Sequence, residues 1–446
     1  MNNFLDLSIY RLIAFVVFII CLLSLLDAAI PQLQLLLLGH VLAGGNSIVK
    51  ITLLLAVTLG TSLFPRIRGA ELPLRLWLIC IVYLMADVPH LIQSRGMTLG
   101  DVFLSYNAYY LLLIGPALLA FRGALPERVT IRYTLLAFWV CAAIGLAQYA
   151  TNRPILQTET ADGSFTVVSW EFFDQVRAFS LFTSSMNFGI FCGLCGALGV
   201  ALYRNQRVKG AFVFIVSAIA CYITLTRLSY LIFICVCTYA LVLTFGKKPG
   251  RGLYYPLLYF ALGMLTIAIG LGFSVGDTNN LRDPGSLISR IEQWGFYYEL
   301  LLHTSVTDLL FGLGIVQNEK ILPLFPMVID NTPLALVLHI GFVGLALFGT
   351  LMVKMWLYLR REALTSRQPF MIAAASLWAS LACAGIFNIV FSSVGTVFAL
   401  AILCAKAPSI APRLKRAGRA GGTDKGVRPE ISGSRATEKL PNMIYP

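Results

Sequence analysis

Residues Ser274 to Asn331 read SVGDTNNLRDPGSLISRIEQWGFYYELLLHTSVTDLLFGLGIVQNEKILPLFPMVIDN, a polar insertion between two long apolar runs. The segment holds Arg282, Arg290, Glu292, Trp294, Glu299, His303 and Asp308, and it closes with Asp330 and Asn331 directly before a new apolar helix. Charge of this density is too costly to sit in hydrocarbon. The segment is therefore expected in water on one face of a membrane, against the mouths of the helices, and the chemistry is expected there.

Outward from this insertion the chain is a succession of apolar runs of about twenty residues, the length that crosses a bilayer as a helix. Hydrophobic residues make up 58% of the chain and charged residues only 12%, with a mean hydropathy of +0.79. Such values exclude a soluble class. The expected fold is an all-α polytopic membrane protein. Windows of about nineteen residues give about twelve helices, near 9–26, 47–65, 73–93, 101–121, 130–149, 179–203, 210–225, 228–246, 252–274, 332–358, 369–386 and 388–405. The first run continues without a small-residue cleavage site and reads as a first span rather than a signal peptide. Residues 1–405 form one transmembrane domain in this reading, with the polar loop 275–331 between helices nine and ten.

Lys and Arg fix the expected orientation, because positively charged loops stay cytoplasmic. Arg66, Arg68 and Arg75 fall in one loop, then Arg122, Arg128 and Arg132, then Arg204, Arg207 and Lys209, then Lys247, Lys248 and Arg251, then Arg360, Arg361 and Arg367. These are alternate loops of a twelve-span chain, which puts both termini in the cytoplasm. The formal charge of +13 is then accounted for as topology, and no nucleic-acid partner is implied. The tail 406–446 combines Gly, Ala and basic charge with few aromatics, which predicts disorder and an affinity for anionic membrane lipid.

A short set of cations falls on the opposite face: Lys50, Arg95, Arg153, Arg177, Arg227, Arg282, Arg290 and Lys320. Three would ring one external mouth. Arg177 follows the run WEFFDQV and opens the sixth span, Arg227 lies in LTRLSY at the apex of two short helices, and Arg290 lies in SRIEQWG. A planar guanidinium that stays charged and makes paired hydrogen bonds suits an anionic diphosphate. Each also has a structural reading: Arg177 can pair with Asp174 or Glu171, and Arg290 with Glu292. Arg227 is the sharper candidate, since a hairpin this short puts its apex near the interface, where an unpaired guanidinium is costly.

Within the insertion, Asp283 and Pro284 predict a helix start. Leu287, Ile291, Trp294, Tyr298 and Leu301 follow at spacings of three and four, an apolar stripe on a helix lying on the membrane. Gly312 and Gly314 in FGLG end that unit with a turn. Trp294, Tyr297 and Tyr298 can make a sugar platform, and equally an interfacial belt with no ligand.

The order RAFSLFTSSMNFG from Arg177, TRLSY from Thr226, SRIEQW from Ser289, LLFGLG from Leu309 and DNTPLALVLHIGFVGL from Asp330 resembles the O-antigen ligase and O-antigen polymerase family. The resemblance runs from about Arg177 to Leu345. It implies a GT-C-like, inverting, metal-independent glycosyltransferase of the bacterial inner membrane, acting on undecaprenyl-diphosphate-linked glycans at the periplasmic face. In one respect the chain departs from the ligases, which usually carry a histidine before the asparagine where this chain has Asp330 before Asn331. His339 lies about two helical turns further in. An Asp-Asn pair is expected of the polymerase and exopolysaccharide branch, with or without a chain-length regulator as partner.

Transfer of a glycan from a lipid diphosphate to a sugar hydroxyl needs charge stabilisation on the departing diphosphate and a base for the acceptor proton. Arg177, Arg227 and Arg290 are the candidates for the first role. Asp330 is the candidate base, with Asn331 orienting it or the acceptor. No cofactor is implied, since Walker, Rossmann and zincin motifs are absent and the four histidines, His40, His90, His303 and His339, have no metal-ligand spacing. The ten cysteines fall within predicted spans, so no structural disulfide is expected, and Cys192 and Cys195 read as small packing residues. Two other functions fit the same outline: a ligase transferring glycan to a lipid or other acceptor, and a flippase or transporter of lipid-linked glycan. Transporters tend to divide their polar residues between two similar halves, whereas here the polar weight sits in one loop.

Overall fold

The computed structural model describes residues 125–155, 171–172, 175–246, 252, 254–274, 285–313 and 331–387, together with 15–23, 79–80, 82–86, 88–89 and a few isolated positions. The spans expected at 47–65 and 101–121, most of those at 73–93 and 388–405, part of that at 9–26, and the tail 406–446 lie outside the described residues. So do Asp330, Arg282, Lys320, Lys50 and Arg95.

In chain order the described elements are α1 (Glu127–Thr151), the strands β1 (Glu171–Phe172) and β2 (Gln175–Val176), α2 (Ser185–Tyr203), α3 (Arg207–Tyr222), α4 (Arg227–Phe245), α5 (Tyr255–Ser274), α6 (Gly285–Leu302), α7 (Val306–Phe311), α8 (Thr332–Ser366) and α9 (Pro369–Phe387). Five of them, α1, α2, α4, α8 and α9, are long and apolar enough to cross a membrane. The fold is mostly helical and in keeping with a membrane protein. The two strands form an antiparallel hairpin, Glu171 opposite Val176 and Phe172 opposite Gln175.

Burial sorts the helices into layers. In α2 and α9, 89% of the apolar window is buried, against 39% in α1 and 50% in α4 and α8, so α2 and α9 are the centre of the bundle. The outer helices turn large apolar side chains outward, among them Leu136, Val140, Phe212, Ile215, Ile234, Leu257 and Leu258. In water that pattern would drive aggregation, whereas in lipid it is the ordinary solvated face. Inside, close approach relies on small residues, as expected where packing rather than water expulsion holds helices together. A Cβ on Gly189 would lie 2.1 Å from Ser229 Oγ, and one on Gly199 2.7 Å from the backbone nitrogen of Phe214. Cys192 and Cys195 are buried within α2, among nine free, buried cysteines in the described residues.

The helices alternate in direction, and two ends result. At one end, Arg367 Nη1 donates to the Leu243 carbonyl at 2.8 Å and the Phe370 N–H donates to Glu127 Oε1 at 3.1 Å, tying the starts of α1 and α9 to the last turns of α4 and α8. Arg128, Arg132, Arg360 and Arg361 belong to this basic end by their positions on the same helices, and Arg204, Arg207 and Lys209 by the α2–α3 turn, since α2 and α4 start side by side at the other end. Arg153, Arg177, Arg227 and Asn331 belong to the other.

Helix limits move from those expected wherever tertiary bonds compete with hydrophobicity. The sixth span begins at Ser185 rather than at 179, because the backbone of 178–180 is bonded elsewhere. α8 runs to Ser366 rather than 358, carrying Arg360 and Arg361 as helical residues.

Candidate active site

The end opposite the basic one is built around residues 175–185. Gln148, fully buried in the last turns of α1, accepts from the N–H groups of Phe179 at 3.1 Å and Ser180 at 2.8 Å through Oε1, and donates through Nε2 to the Ile155 carbonyl at 2.8 Å. Asn152 Oδ1 accepts from the Val176 N–H at 2.6 Å, and Gln175 Nε2 donates to the Tyr149 carbonyl at 2.7 Å. Ser180 sits at φ 54°, a left-handed conformation uncommon outside glycine, and its hydroxyl donates to the Cys141 carbonyl at 2.7 Å. Arg177 is thereby held between two anchored neighbours, half-buried at the rim. Helix α2 then starts under a local cap, Ser184 Oγ accepting from the Asn187 N–H at 3.2 Å.

The α3–α4 turn meets this segment directly. The Ala178 N–H donates to the Ile223 carbonyl at 3.2 Å, and the hydroxyls of Ser185 and Thr226 lie 3.0 Å apart. Four residues separate Tyr222 from Arg227, and Leu225 takes φ 50° to close so short a connection. Two non-glycine residues in this strained region, Ser180 and Leu225, flank one site, a concentration typical of functional backbone. Arg227 is the first residue of α4 and is exposed. A cation at a helix N-terminus opposes the helix dipole by about 0.3–1 kcal/mol. The Arg177 guanidinium is close enough to act electrostatically on Tyr230, one turn into α4, whose hydroxyl donates to the Tyr222 carbonyl at 2.8 Å. Arg177 and Arg227, 50 residues apart in sequence, therefore flank one turn.

Asn331 starts α8 at the same end. Its Oδ1 accepts from the Leu334 N–H at 2.9 Å, a helix cap, and its Nδ2 donates to the Ile386 carbonyl near the end of α9 at 3.0 Å. The thiols of Cys235 and Cys383 face each other between α4 and α9. Counting outward from that pair, eight residues to Arg227 and three to Ile386, puts Arg227 about 8 Å further out than the Asn331 tie at 1.5 Å per residue. The arginines stand on the rim and Asn331 on a step below. Asp330, adjacent to Asn331 in the chain, lies outside the described residues.

The insertion forms α6, as expected, but with a different inner face. Trp294, Leu300 and Leu301 are partly buried, Gln293 and Tyr297 are buried, and Tyr298 is 61% exposed. Trp294–Tyr298–Leu301 and Trp294–Tyr297–Leu301 both fit helical spacing, and packing selects the second. Burial raises the Tyr297 phenol above its ordinary pKa. The three aromatics do not share one surface: Tyr297 faces the core and Tyr298 faces away. Arg290 is one turn before Trp294 on α6, a helix that packs against α5 and α8.

The FGLG run does not lie over the helix ends. Gly312 and Leu313 dock against a break in α8 at Gly341 (φ 67°, ψ −177°), ten residues or about 15 Å along that helix from Asn331. A broken turn leaves carbonyls without intrahelical donors, which hydrocarbon does not tolerate. Here the Leu313 N–H donates to the Leu338 carbonyl at 2.8 Å, and the Tyr83 hydroxyl donates to the Ile340 carbonyl at 2.5 Å. His339 is buried at this break.

Gln148 and Asn152 hold the site and carry no mark in the sequence, where a lone polar residue near the end of an apolar span reads as its solvated tip. Ser180 and Thr226 lie inside the RAFSLF and TRLSY motifs, but their holding role appears only in the packing. Among the described residues no His, Cys, Asp and Glu group is arranged to hold a metal ion. Compared with protein-family models and with curated proteins, the chain matches none.

Proposed function

We propose that this chain is a metal-independent, lipid-diphosphate-dependent glycosyltransferase that polymerises undecaprenyl-diphosphate-linked oligosaccharide repeats at the periplasmic face of a bacterial inner membrane. In this reading it has about twelve spans, both termini in the cytoplasm, and the loop 275–331 in the periplasm. The product is an O-antigen, capsule or exopolysaccharide. One observation carries the proposal: the Ala178–Ile223 hydrogen bond and the Ser185–Thr226 contact join the two arginine motifs into one rim. Both motifs belong to the run that resembles the ligase and polymerase family.

The division of labour follows from what the reaction needs. Arg177 and Arg227 hold the diphosphate and stabilise the charge it gains as the glycosidic bond breaks, with Arg290 as a third donor from α6. Asp330 accepts the proton of the attacking hydroxyl. Asn331 spends its amide on Leu334 and Ile386, so it serves Asp330 by fixing where α8 begins. Exposed Tyr298 is the better placed of the two tyrosines to meet a sugar.

The experiment is deletion of the gene followed by analysis of lipid-linked intermediates. Loss of a polymerase leaves single repeats on their carrier at the periplasmic face. Finished polymer held on its carrier would assign a ligase instead, and repeats trapped on the cytoplasmic side would assign a flippase.

A further inference from the structure

At the basic end, away from the arginine rim, α2, α3 and α4 leave an open cleft of about 560 Å³, within the roughly 300–1,000 Å³ of small-molecule sites. Its walls are almost wholly apolar, from Tyr203, Ala211 and Phe214 on one side to Phe233, Leu241 and Phe245 on the other. Phe245 to Phe233 is twelve residues of helix, about 18 Å, slightly more than half of a hydrocarbon core about 30 Å thick. The cleft thus has the length of one leaflet and opens sideways among residues that face lipid, Ile215, Ile234 and Leu241.

Directly at its mouth is the α2–α3 turn. Arg204, Arg207 and Lys209 are exposed there, between Tyr203 and the buried Gly210, both of which line the cleft. Among the described residues no ion pair involves any of the three. α3 opens on Arg207 with no acidic residue in its first turn and no side-chain cap. Three uncompensated cations above a groove of leaflet length match an amphiphile with a single anionic head and a hydrocarbon chain.

We propose that this cleft is a binding site for an anionic membrane phospholipid, one acyl chain lying between α3 and α4 and the phosphate held by Arg204, Arg207 and Lys209. The ligand is a structural lipid and takes no part in the chemistry at the opposite end. Charge complementarity selects it over a zwitterionic lipid, and basic pockets between transmembrane helices are a recurrent way of holding such head groups.

The test uses the purified full-length chain in detergent. Phosphatidylglycerol is expected to raise its thermal midpoint by several degrees and to be retained in native mass spectra, whereas phosphatidylcholine and free glycerol 3-phosphate do neither. An Arg204→Gln, Arg207→Gln, Lys209→Gln triple variant, altered only at exposed positions, should lose the shift. Ala211→Trp, which fills the cleft, should lose the retained lipid, and Thr238→Phe reads the same outcome from the facing helix should the first variant fold poorly. A phosphatidylglycerol shift kept by the triple variant, or matched by phosphatidylcholine or glycerol 3-phosphate, overturns the proposal.

Discussion

Gly312 and Gly341 meet backbone to backbone: a Cβ on Gly312 would lie 2.3 Å from the His339 carbonyl oxygen, and one on Gly341 2.2 Å from that of Leu310. Both glycines have positive φ, 94° and 67°. Alanine at Gly341 therefore faces backbone strain of about 1–3 kcal/mol, in a region used essentially only by glycine, as well as collision with backbone that has nowhere to go. Gly341→Ala and Gly312→Ala should each lower the thermal midpoint of the purified protein and reduce its yield. Gly349→Ala on the same helix, where nothing lies within 4 Å, should do neither. Equal midpoints in all three variants would show that the FGLG run does not dock on α8.

Removing either rim arginine should separate activity from folding. Arg227 is exposed at the start of α4, so Arg227→Ala is expected to leave the protein folded and inserted while polymer disappears. Arg177→Ala should abolish polymer too. Lysine at either site keeps charge but not the paired donor geometry, and should recover only a small part of the activity. Full activity in both alanine variants would remove the diphosphate clamp.

Gln148 should behave as a positioning residue. Gln148→Leu orphans the N–H groups of Phe179 and Ser180, at about 1–3 kcal/mol each, and frees the segment that carries Arg177. Gln148→Glu keeps both acceptors and should retain more activity than leucine. If leucine and glutamate variants match wild type in lipid-diphosphate affinity and in rate, the anchoring of 178–180 is irrelevant to the reaction.

Asp330 and Asn331 are expected to fail differently. Asp330→Asn removes basicity at constant size, so polymerisation should stop while lipid-linked repeats still bind. Asn331→Ala loses a helix cap worth about 1 kcal/mol along with the tie to Ile386, and should show as lowered stability and partial activity. Polymer made at the normal rate by Asp330→Asn would move the search for a base to Glu171 and Asp174.

Reporter fusions check the orientation. A reporter at Asp308 is expected outside and one at Gly421 in the cytoplasm, from the alternation of basic loops. Both reporting one compartment would overturn the proposed number of spans between them.

Hydrophobic runs of membrane length and the spacing of Lys and Arg are local quantities, which is why helix, span and the grouping of basic turns at one end could be read along the chain without knowing what packs on what. The RAFSLF and TRLSY motifs were likewise visible as separate strings. That Arg177 and Arg227 share a rim was not, since it depends on an Ala178–Ile223 hydrogen bond between segments 45 residues apart, and on a buried glutamine with no sequence mark. The choice of Tyr297 over Tyr298 as the inner face of α6 has the same origin: both satisfy helical periodicity, and only the neighbouring helices break the tie. The docking of FGLG on the α8 break is the clearest case. Sequence assigns Gly312 to a turn and Gly341 to a span, but two positive-φ glycines are explained only by each other, because each makes room for the backbone of its partner.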